Sequence, residues 1–156
     1  MYYLCSMKEI ESAAKTELHS LEIMAPAGSY ESLMAAINAG ADSIYFGIEG
    51  LNMRSKSAYN FTREDLYKIT GICREAGVKS YLTVNTIIYD GDMTYMRQLI
   101  DDAAAAGVSA IIASDVAAMT YARKVGVEVH LSTQLNISNT EALRFYAQFA
   151  DVVVLA

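Results

Sequence analysis

Residues 129–139, VHLSTQLNISN, place a histidine and a serine two positions apart, a combination that suggests acyl-transfer chemistry. In a hydrolytic triad a histidine takes the proton of a hydroxyl nucleophile, and a carboxylate orients the histidine. The candidate catalytic residues of this kind are His130, Ser132 and Asp115. On one face of a strand, His130 and Ser132 would start about 7 Å apart, and no Gly-x-Ser-x-Gly turn is present. Two other roles for His130 therefore stay open: a structural residue bonded to Glu22 or to a tyrosine, or a general acid or base.

A recurring pattern of helix end, glycine and apolar run divides the chain into repeated units. It is visible in INAGADSIYF, REAGVKSYLTV, AAAGVSAIIAS and RKVGVEVHLST, and QFADVVVL at 148–155 repeats it with an aspartate in place of the glycine. Such a glycine ends a helix in the left-handed conformation, and the apolar run is typical of a buried strand. The pattern predicts strands near 21–26, 43–48, 79–86, 109–114, 127–133 and 151–156. Helices are predicted near 29–39, 62–76, 92–106, 115–125 and 139–149, with Ser29, Thr62 and Asn139 as N-caps.

Strict alternation of strands and helices predicts parallel strands joined by crossover helices. Six strands and five helices are most of a (β/α)8 barrel, so we expect an α/β fold, an incomplete TIM-barrel-like domain over residues 21–156. Residues 6–18, SMKEIESAAKTEL, predict an additional helix, which makes residues 1–20 an N-terminal helical extension. Because 151–156 is an apolar strand, two alternatives stay open. Either the chain is the amino-terminal part of a longer protein, or its open edge is completed by a partner or by another copy in a homo-oligomer.

The parity of the strands predicts an unusually polar barrel interior. Alternate residues of a barrel strand face the lumen, and the others face the helices. The residues predicted to face the lumen are Glu22, Tyr45, Tyr81, Thr83, Asn85, Ser114, Glu128, His130, Ser132 and Gln134. Burying such groups costs free energy unless they are paired or bind a ligand, so this set indicates a site.

The active face of such a barrel lies at the carboxyl ends of its strands. There the loop GIEGLNMRSKSAYN, residues 47–60, carries Arg54 and Lys56, which together with Arg63 suit an anionic or carboxylate-bearing substrate. Amide side chains such as those of Asn85 and Gln134 either form a hydrogen-bond network in the lumen or orient a substrate carbonyl. The predicted substrate-binding residues are Glu22, Arg54, Asn85, Ser114, Thr133, Gln134 and Asn136.

Composition and spacing argue against several other classes of protein. The net charge of −6 disfavours binding to a nucleic-acid backbone over the whole surface. Cys5 and Cys73 are far apart and the chain has two histidines, so we expect no metal site and no cofactor within it. The first 15 residues lack the pattern of a signal peptide, and charges interrupt every long apolar run. We therefore expect a cytoplasmic protein that does not bind membranes.

Four segments of the sequence resemble peptidase family U32, the collagenase-like peptidases. They are LEIMAPAGSYESLMAAINAGADSIYFGIEGLNMRSKSAYNFTREDL, VKSYLTVNTII, GVSAIIASDVAAMTYAR and VHLSTQLNISNTEALRFY, and the resemblance covers residues 21–156. It implies the amino-terminal region of a TIM-barrel-like protein that hydrolyses peptide bonds in collagen-type or other peptides. The matching recurrent segments are APAG at 25–28, the loop around Arg54, and STQ at 132–134.

The resemblance also implies an alternative activity. Relatives that support hydroxylation of RNA bases or of ubiquinone precursors hold an iron–sulfur cluster through cysteines of a later, glycine- and cysteine-rich region. That region has no counterpart in residues 1–156, and neither Cys5 nor Cys73 matches it. The two alternatives are thus a peptidase with a peptide or protein substrate, and a hydroxylation protein with RNA as a partner and an iron–sulfur cluster in a longer form.

Overall fold

The computed structural model describes residues 4–6, 21–51 and 61–156, and of residues 4–6 it describes the backbone. The strands are β1 (Leu4–Ser6), β2 (Met24–Ala27), β3 (Ser43–Gly47), β4 (Lys79–Val84), β5 (Ala110–Ala113), β6 (Glu128–Leu131) and β7 (Val152–Val154). The helices are α1 (Tyr30–Asn38), α2 (Arg63–Glu75), α3 (Met93–Ala106), α4 (Val116–Lys124) and α5 (Thr140–Tyr146). Short 3-10 helices, Asp90–Asp92 and Thr133–Leu135, precede α3 and follow β6.

Strands β2 to β7 form a parallel sheet in the order in which they occur along the chain. The sheet curls into a half-barrel, and a helix lies between each strand and the next. This confirms the predicted α/β, incomplete TIM-barrel-like fold. Each predicted strand and helix from residue 21 onward is present, although most are shorter than the pattern indicated.

Strand β1 adds an antiparallel edge to the parallel sheet. Leu4 lies opposite Val154, and Ser6 lies opposite Val152. The outer edge of β7, which the sequence suggested was open, is therefore paired within the chain. Three residues are too few to show a strand period, so pattern reasoning did not predict β1. Ser6 belongs to this strand, and the rest of the helix predicted at 6–18 lies outside the described residues.

Local signals set the ends of the helices. Ser29 and Thr62 each accept the backbone N–H three residues ahead, at 3.2 and 3.4 Å, in reciprocal capping boxes that begin α1 and α2. Asn139 accepts a backbone N–H at 2.9 Å and begins α5. The three predicted N-caps are confirmed. Gly77 and Gly107, which follow α2 and α3, have φ angles of 70° and 76°, the left-handed values predicted for these glycines.

The two faces of the sheet bury different side chains. The outer face packs against the helices through aliphatic and aromatic residues, among them Ile44, Phe46, Leu82, Val84, Ile111, Val129 and Leu131. The inner face holds a separate small cluster of Tyr81, Ala110 and Ile112, with Met24 and Tyr45 packed against it. The division follows the predicted alternation along β3, β4 and β6. It also places every second residue of these strands in the lumen.

Polar residues at the amino ends of three strands tie each strand to its neighbour. Asp42, Ser109 and Asp151 immediately precede β3, β5 and β7, and each side chain accepts a backbone N–H from the adjacent part of the sheet. The donors are Ile23, Ser80 and Val129, at 2.8, 3.1 and 3.2 Å. These bonds fix the lower end of the half-barrel, while the upper, carboxyl end is free to carry loops. In the described part of the chain, no helix is both long and apolar enough to span a bilayer.

Candidate functional site

The strand register arranges the lumen side chains of β4, β5 and β6 in rows. The lower row is Tyr81, Ala110 and Glu128, and the middle row is Thr83, Ile112 and His130. The same register continued by one step gives an upper row of Asn85, Ser114 and Ser132, at or just past the carboxyl ends of the strands. Successive lumen residues of one strand are about 7 Å apart. The upper row is therefore the part of the lumen closest to the carboxyl face.

The turn after β6 is organised by the hydroxyl of Ser132. This hydroxyl accepts the backbone N–H of Gln134 at 3.4 Å and donates to Gln134 Oε1 at 3.2 Å. Asn136 ends the 3-10 helix in the left-handed conformation with φ 53°, and its amide donates to the carbonyl of Gln134 at 3.3 Å. Asparagine tolerates this conformation better than most residues. The turn therefore presents Thr133, Gln134 and Asn136 beside the upper row, on the carboxyl face.

His130 is buried, with 2% of its surface exposed, and its partner is Glu128. His130 Nε2 lies 2.8 Å from Glu128 Oε1, and the Tyr81 ring lies 4.7 Å from the imidazole, centroid to centroid. His130 Nδ1 has no hydrogen-bond partner among the described residues. The sequence predicts Glu22 or a tyrosine as the hydrogen-bond partner of a structural His130, whereas in the structure Glu128 makes this hydrogen bond.

The three candidate catalytic residues do not form a hydrogen-bonded triad. Ser132 donates to Gln134, while His130 pairs with Glu128. Asp115 is the N-cap of α4: its Oδ1 accepts the N–H of Ala117 at 2.8 Å, and its Oδ2 accepts the N–H of Ile88 at 3.4 Å. Both carboxylate oxygens thus hold backbone groups.

Glu22 lies at the amino end of the half-barrel, opposite the predicted binding residues at the carboxyl end that the structure describes, namely Asn85, Ser114, Thr133, Gln134 and Asn136. Its two oxygens accept hydrogen bonds of 2.6 Å each from Tyr81 Oη and Lys79 Nζ. Burial would raise the pKa of Glu22, but the hydrogen bonds from Lys79 and Tyr81 outweigh it and hold that pKa below its ordinary value. Burial, and then the hydrogen bond to the Glu22 carboxylate, raise the pKa of the Tyr81 hydroxyl. Glu22 therefore acts as a charged structural anchor in this arrangement.

Of the three cationic residues predicted to contact a substrate, the structure describes one, Arg63. Arg54 and Lys56 lie outside the described residues. Arg63 is the first residue of α2 and forms an ion pair with Asp102 of α3, in which Nε donates at 2.7 Å. Arg63 is thus engaged between two helices, and its contact with a substrate stays a prediction.

The described residues on either side of the long loop contact each other and helix α3. Ile48 forms a bridge with Phe61, and the N–H of Glu49 donates to the Phe61 carbonyl at 3.0 Å. Tyr95 of α3 donates its hydroxyl to the carbonyl of Glu49 at 2.7 Å. At Gly50, where φ is 103°, an added Cβ would lie 2.9 Å from the Tyr95 ring. The ring therefore packs closely against a backbone position whose positive φ favours glycine.

The observed hydrogen-bond partners of His130 and Glu22 are not predicted from the sequence. Glu128 lies two residues before His130 on the same strand face, the spacing that argued against a bond between His130 and Ser132. The longer glutamate side chain spans that separation, whereas the serine side chain is too short for it. An E-x-H pattern in a barrel strand was the available signal. Glu22 and Tyr81 are both predicted to face the lumen, but parity alone does not say which residues meet.

Within the described residues, no three His, Cys, Asp or Glu side chains are grouped closely enough to hold a metal ion. The cysteine whose side chain the structure describes, Cys73, is fully buried in α2, where burial raises its thiol pKa to about 11. An iron–sulfur cluster takes about four ligands, mostly thiolates. The described part of this chain does not fit such a cluster.

A family model for peptidase family U32 matches residues 28–156, which is most of the chain and includes every row of the lumen. The chain belongs to peptidase family U32. The U32 relationship predicted from the quoted sequence segments is therefore confirmed. The matched range contains β3 to β7 and α1 to α5.

Individual U32 relatives have two kinds of name. A collagenase of Porphyromonas gingivalis is 76% identical over 139 residues, covering 89% of this chain and 34% of that protein. The tRNA hydroxylation protein P1 of Bacillus subtilis is 36% identical over 138 residues, covering 86% of this chain and 32% of that protein. The chain thus spans about a third of the length of these U32 relatives.

A solved U32 structure shares the fold of this chain. The U32 peptidase Mk0906 superposes with a TM-score of 0.71 at 10% sequence identity, covering 87% of this chain and 58% of that one. At this identity the likeness supports the half-barrel architecture and gives no information on activity.

Proposed function

We propose that this chain supplies the amino-terminal part of a U32 peptidase that hydrolyses peptide bonds in collagen-type or other peptides. The observation that carries the proposal is the 76% identity to a protein named collagenase over 89% of the chain. At that level of identity the side chains that line the lumen and its carboxyl face are expected to match closely. The proposal extends to a cytoplasmic location.

The carboxyl face offers the groups that a peptide backbone needs. The upper row and the turn after it contain hydroxyl and amide side chains, namely Asn85, Ser114, Ser132, Thr133, Gln134 and Asn136. Amides and hydroxyls both donate and accept, so they can pair with the N–H and C=O groups of an extended peptide. Gln134 and Asn136 are exposed, which leaves them accessible to a substrate that approaches from this face.

The test uses the complete protein that contains this sequence. Purified protein is incubated with gelatin and with collagen-derived peptides, and new amino termini are quantified. We expect cleavage, and we expect Gln134→Ala to lower kcat/KM by about tenfold, the cost of one or two hydrogen bonds to substrate. Gln148→Ala is the matched control, because Gln148 is an exposed glutamine whose amide bonds to the carbonyl of Phe145 in α5. Absence of cleavage in the parent protein would reject the peptidase proposal.

The second candidate is a role in hydroxylation of RNA bases or of ubiquinone precursors, with the iron–sulfur cluster held by residues other than those described. Its support is the 36% identity to a protein named for tRNA hydroxylation. Anaerobic purification of the complete protein, followed by iron and acid-labile sulfide analysis, tests this alternative. A protein free of iron and sulfide that cleaves peptides would reject it, whereas a cluster-containing protein without cleavage would favour it.

A further inference from the structure

We propose that Glu128 and His130 form a proton-transfer pair in the lumen, in which His130 Nδ1 is a general base and Glu128 is the positioning residue. This inference deepens the proposed peptidase function and rests on it. It assigns His130 Nδ1 as the proton-accepting atom and Glu128 as the residue that orients the imidazole. The triad of His130, Ser132 and Asp115 is not hydrogen-bonded in the structure.

The 2.8 Å contact between His130 Nε2 and Glu128 Oε1 fixes the tautomer of the imidazole. An ionised carboxylate only accepts hydrogen bonds, so the ring nitrogen that faces it must carry a proton. In the neutral imidazole the second nitrogen, Nδ1, then has a free lone pair. Glu128 is half exposed, so solvent reaches the carboxylate that holds the ring.

The surroundings of His130 leave that lone pair unused. Nδ1 is buried and has no partner among the described residues. Tyr81, whose ring packs on the imidazole, directs its hydroxyl to Glu22 instead. The register neighbours of His130 on β5 and β7, Ile112 and Val152, carry no polar side-chain atoms. A buried acceptor without a partner costs about 1–3 kcal/mol, so this site favours binding a hydrogen-bond donor.

The position of the pair suits a base beneath a bound substrate. His130 is in the middle row, one lumen position below Ser132, and Glu128 lies one further position below. A peptide held at the upper row therefore lies one row above the imidazole. Glu128, at the far side from the substrate, orients the ring without meeting the peptide, as the carboxylate of a catalytic triad does.

The proposed step is hydrolysis by an activated water. Water donates a proton to His130 Nδ1 as its oxygen forms a bond to the scissile carbonyl carbon. The protonated imidazole, stabilised by the Glu128 carboxylate, then gives that proton to the amide nitrogen as the C–N bond breaks. The products are a carboxylic acid and an amine, and the imidazole returns to its neutral state.

The first experiment measures the tautomer and does not depend on peptidase activity. The chain has two histidines, so His19→Gln leaves His130 as the single imidazole of the 156-residue chain. Long-range ¹H–¹⁵N correlation spectra of the ¹⁵N-histidine-labelled variant are expected to show a protonated Nε2 and an unprotonated Nδ1. Glu128→Gln is expected to change the tautomer populations, because an amide can either accept from or donate to Nε2. A protonated Nδ1 in the unsubstituted pair would overturn the assignment.

The second experiment measures peptide cleavage by the complete protein. His130→Gln is expected to lower kcat by at least a hundredfold, within the usual range for loss of a general base. Glu128→Gln is expected to lower kcat by at least tenfold with little change in KM, while Glu141→Gln, an exposed glutamate of α5, keeps the parent rate. If the parent protein cleaves peptides and His130→Gln stays within threefold of it, the pair is not catalytic although the peptidase function stands. If no peptide is cleaved, the peptidase function fails and the tautomer spectrum still tests the pairing.

Discussion

Tyr81 Oη donates a 2.6 Å hydrogen bond to Glu22 Oε1, so that β4 is connected to the residues before β2 across the intervening strand β3. The other oxygen of Glu22 accepts from Lys79, so both contacts lie at the amino end of the lumen. Hydrogen bonds to a charged group contribute more than neutral ones, about 1.5–3 kcal/mol when they are well buried. The cluster of Glu22, Lys79 and Tyr81 is therefore expected to stabilise the fold.

Glu22→Gln is expected to lower the free energy of unfolding at pH 7 by about 1–2 kcal/mol, because a charged acceptor becomes a neutral one. The folded-state pKa of Glu22 lies below its ordinary value, so its contribution is present above that ordinary value and is lost as the pH falls through the lowered one. The difference between variant and parent should thus shrink under acid conditions. Urea unfolding at pH 7 and near pH 3 measures this. Glu75→Gln, an exposed glutamate of α2, is the control, and an equal loss in both variants would contradict the prediction.

Gly50→Ala is expected to destabilise the chain by about 1–3 kcal/mol, since it combines a left-handed φ with a close contact to the Tyr95 ring. Gly71→Ala should have the opposite sign, because Gly71 lies within α2 and an added Cβ meets nothing within 4 Å. Removing a glycine from a helix interior stabilises by about 0.5–1 kcal/mol. Thermal unfolding of both variants gives the comparison. Stabilisation by Gly50→Ala would show that the loop contact is not as described.

The thiol of Cys73 is expected to react slowly while the chain is folded. Burial raises its pKa to about 11, so at pH 8 the thiolate fraction is about a hundredfold below that of an ordinary cysteine. Steric protection within α2 lowers the rate further. In a Cys5→Ser background, labelling with a thiol reagent is followed in buffer and in urea. Labelling in buffer at the rate seen in urea would mean that Cys73 is not buried.

Asp115→Asn is expected to keep both stability and cleavage close to those of the parent, because asparagine is as good an N-cap as aspartate. Asp115→Ala removes the acceptor for Ala117 and should cost about 1 kcal/mol. A catalytic carboxylate would behave differently: Asp115→Asn would then lower kcat at least a hundredfold. Unfolding measurements on the chain and cleavage assays on the complete protein separate the two roles.

The predictable part of the fold rests on local signals. Ser29, Thr62 and Asn139 cap the helices they were predicted to begin, because an N-cap bonds to an N–H only a few residues away. The division of β4 into Leu82 and Val84 outside, and Tyr81 and Thr83 inside, follows from the period of two that every strand shares.

The pairing of lumen side chains was not predictable to the same degree. The alternation along the strands predicts that Glu22, Glu128 and His130 all face the lumen. It does not predict the position of Glu22 along the barrel axis relative to the lumen residues of β6. Register between strands and side-chain length decide that His130 meets Glu128, while Glu22 meets Tyr81. These quantities depend on contacts between distant parts of the chain, which a single sequence does not display.

The pairing of β1 with β7 also bears on the order in which the chain folds. Every parallel pair joins strands that follow one another, such as Ser43 and Lys79 at a separation of 36 residues, whereas Leu4 and Val154 are 150 residues apart. Closing the longer loop costs about 1 kcal/mol more in chain entropy. Neighbouring strand and helix units can therefore assemble first, and β1 docks last. In hydrogen exchange the amides of this outer pair should open before those of β3, β4 and β5, at a free energy well below that of global unfolding.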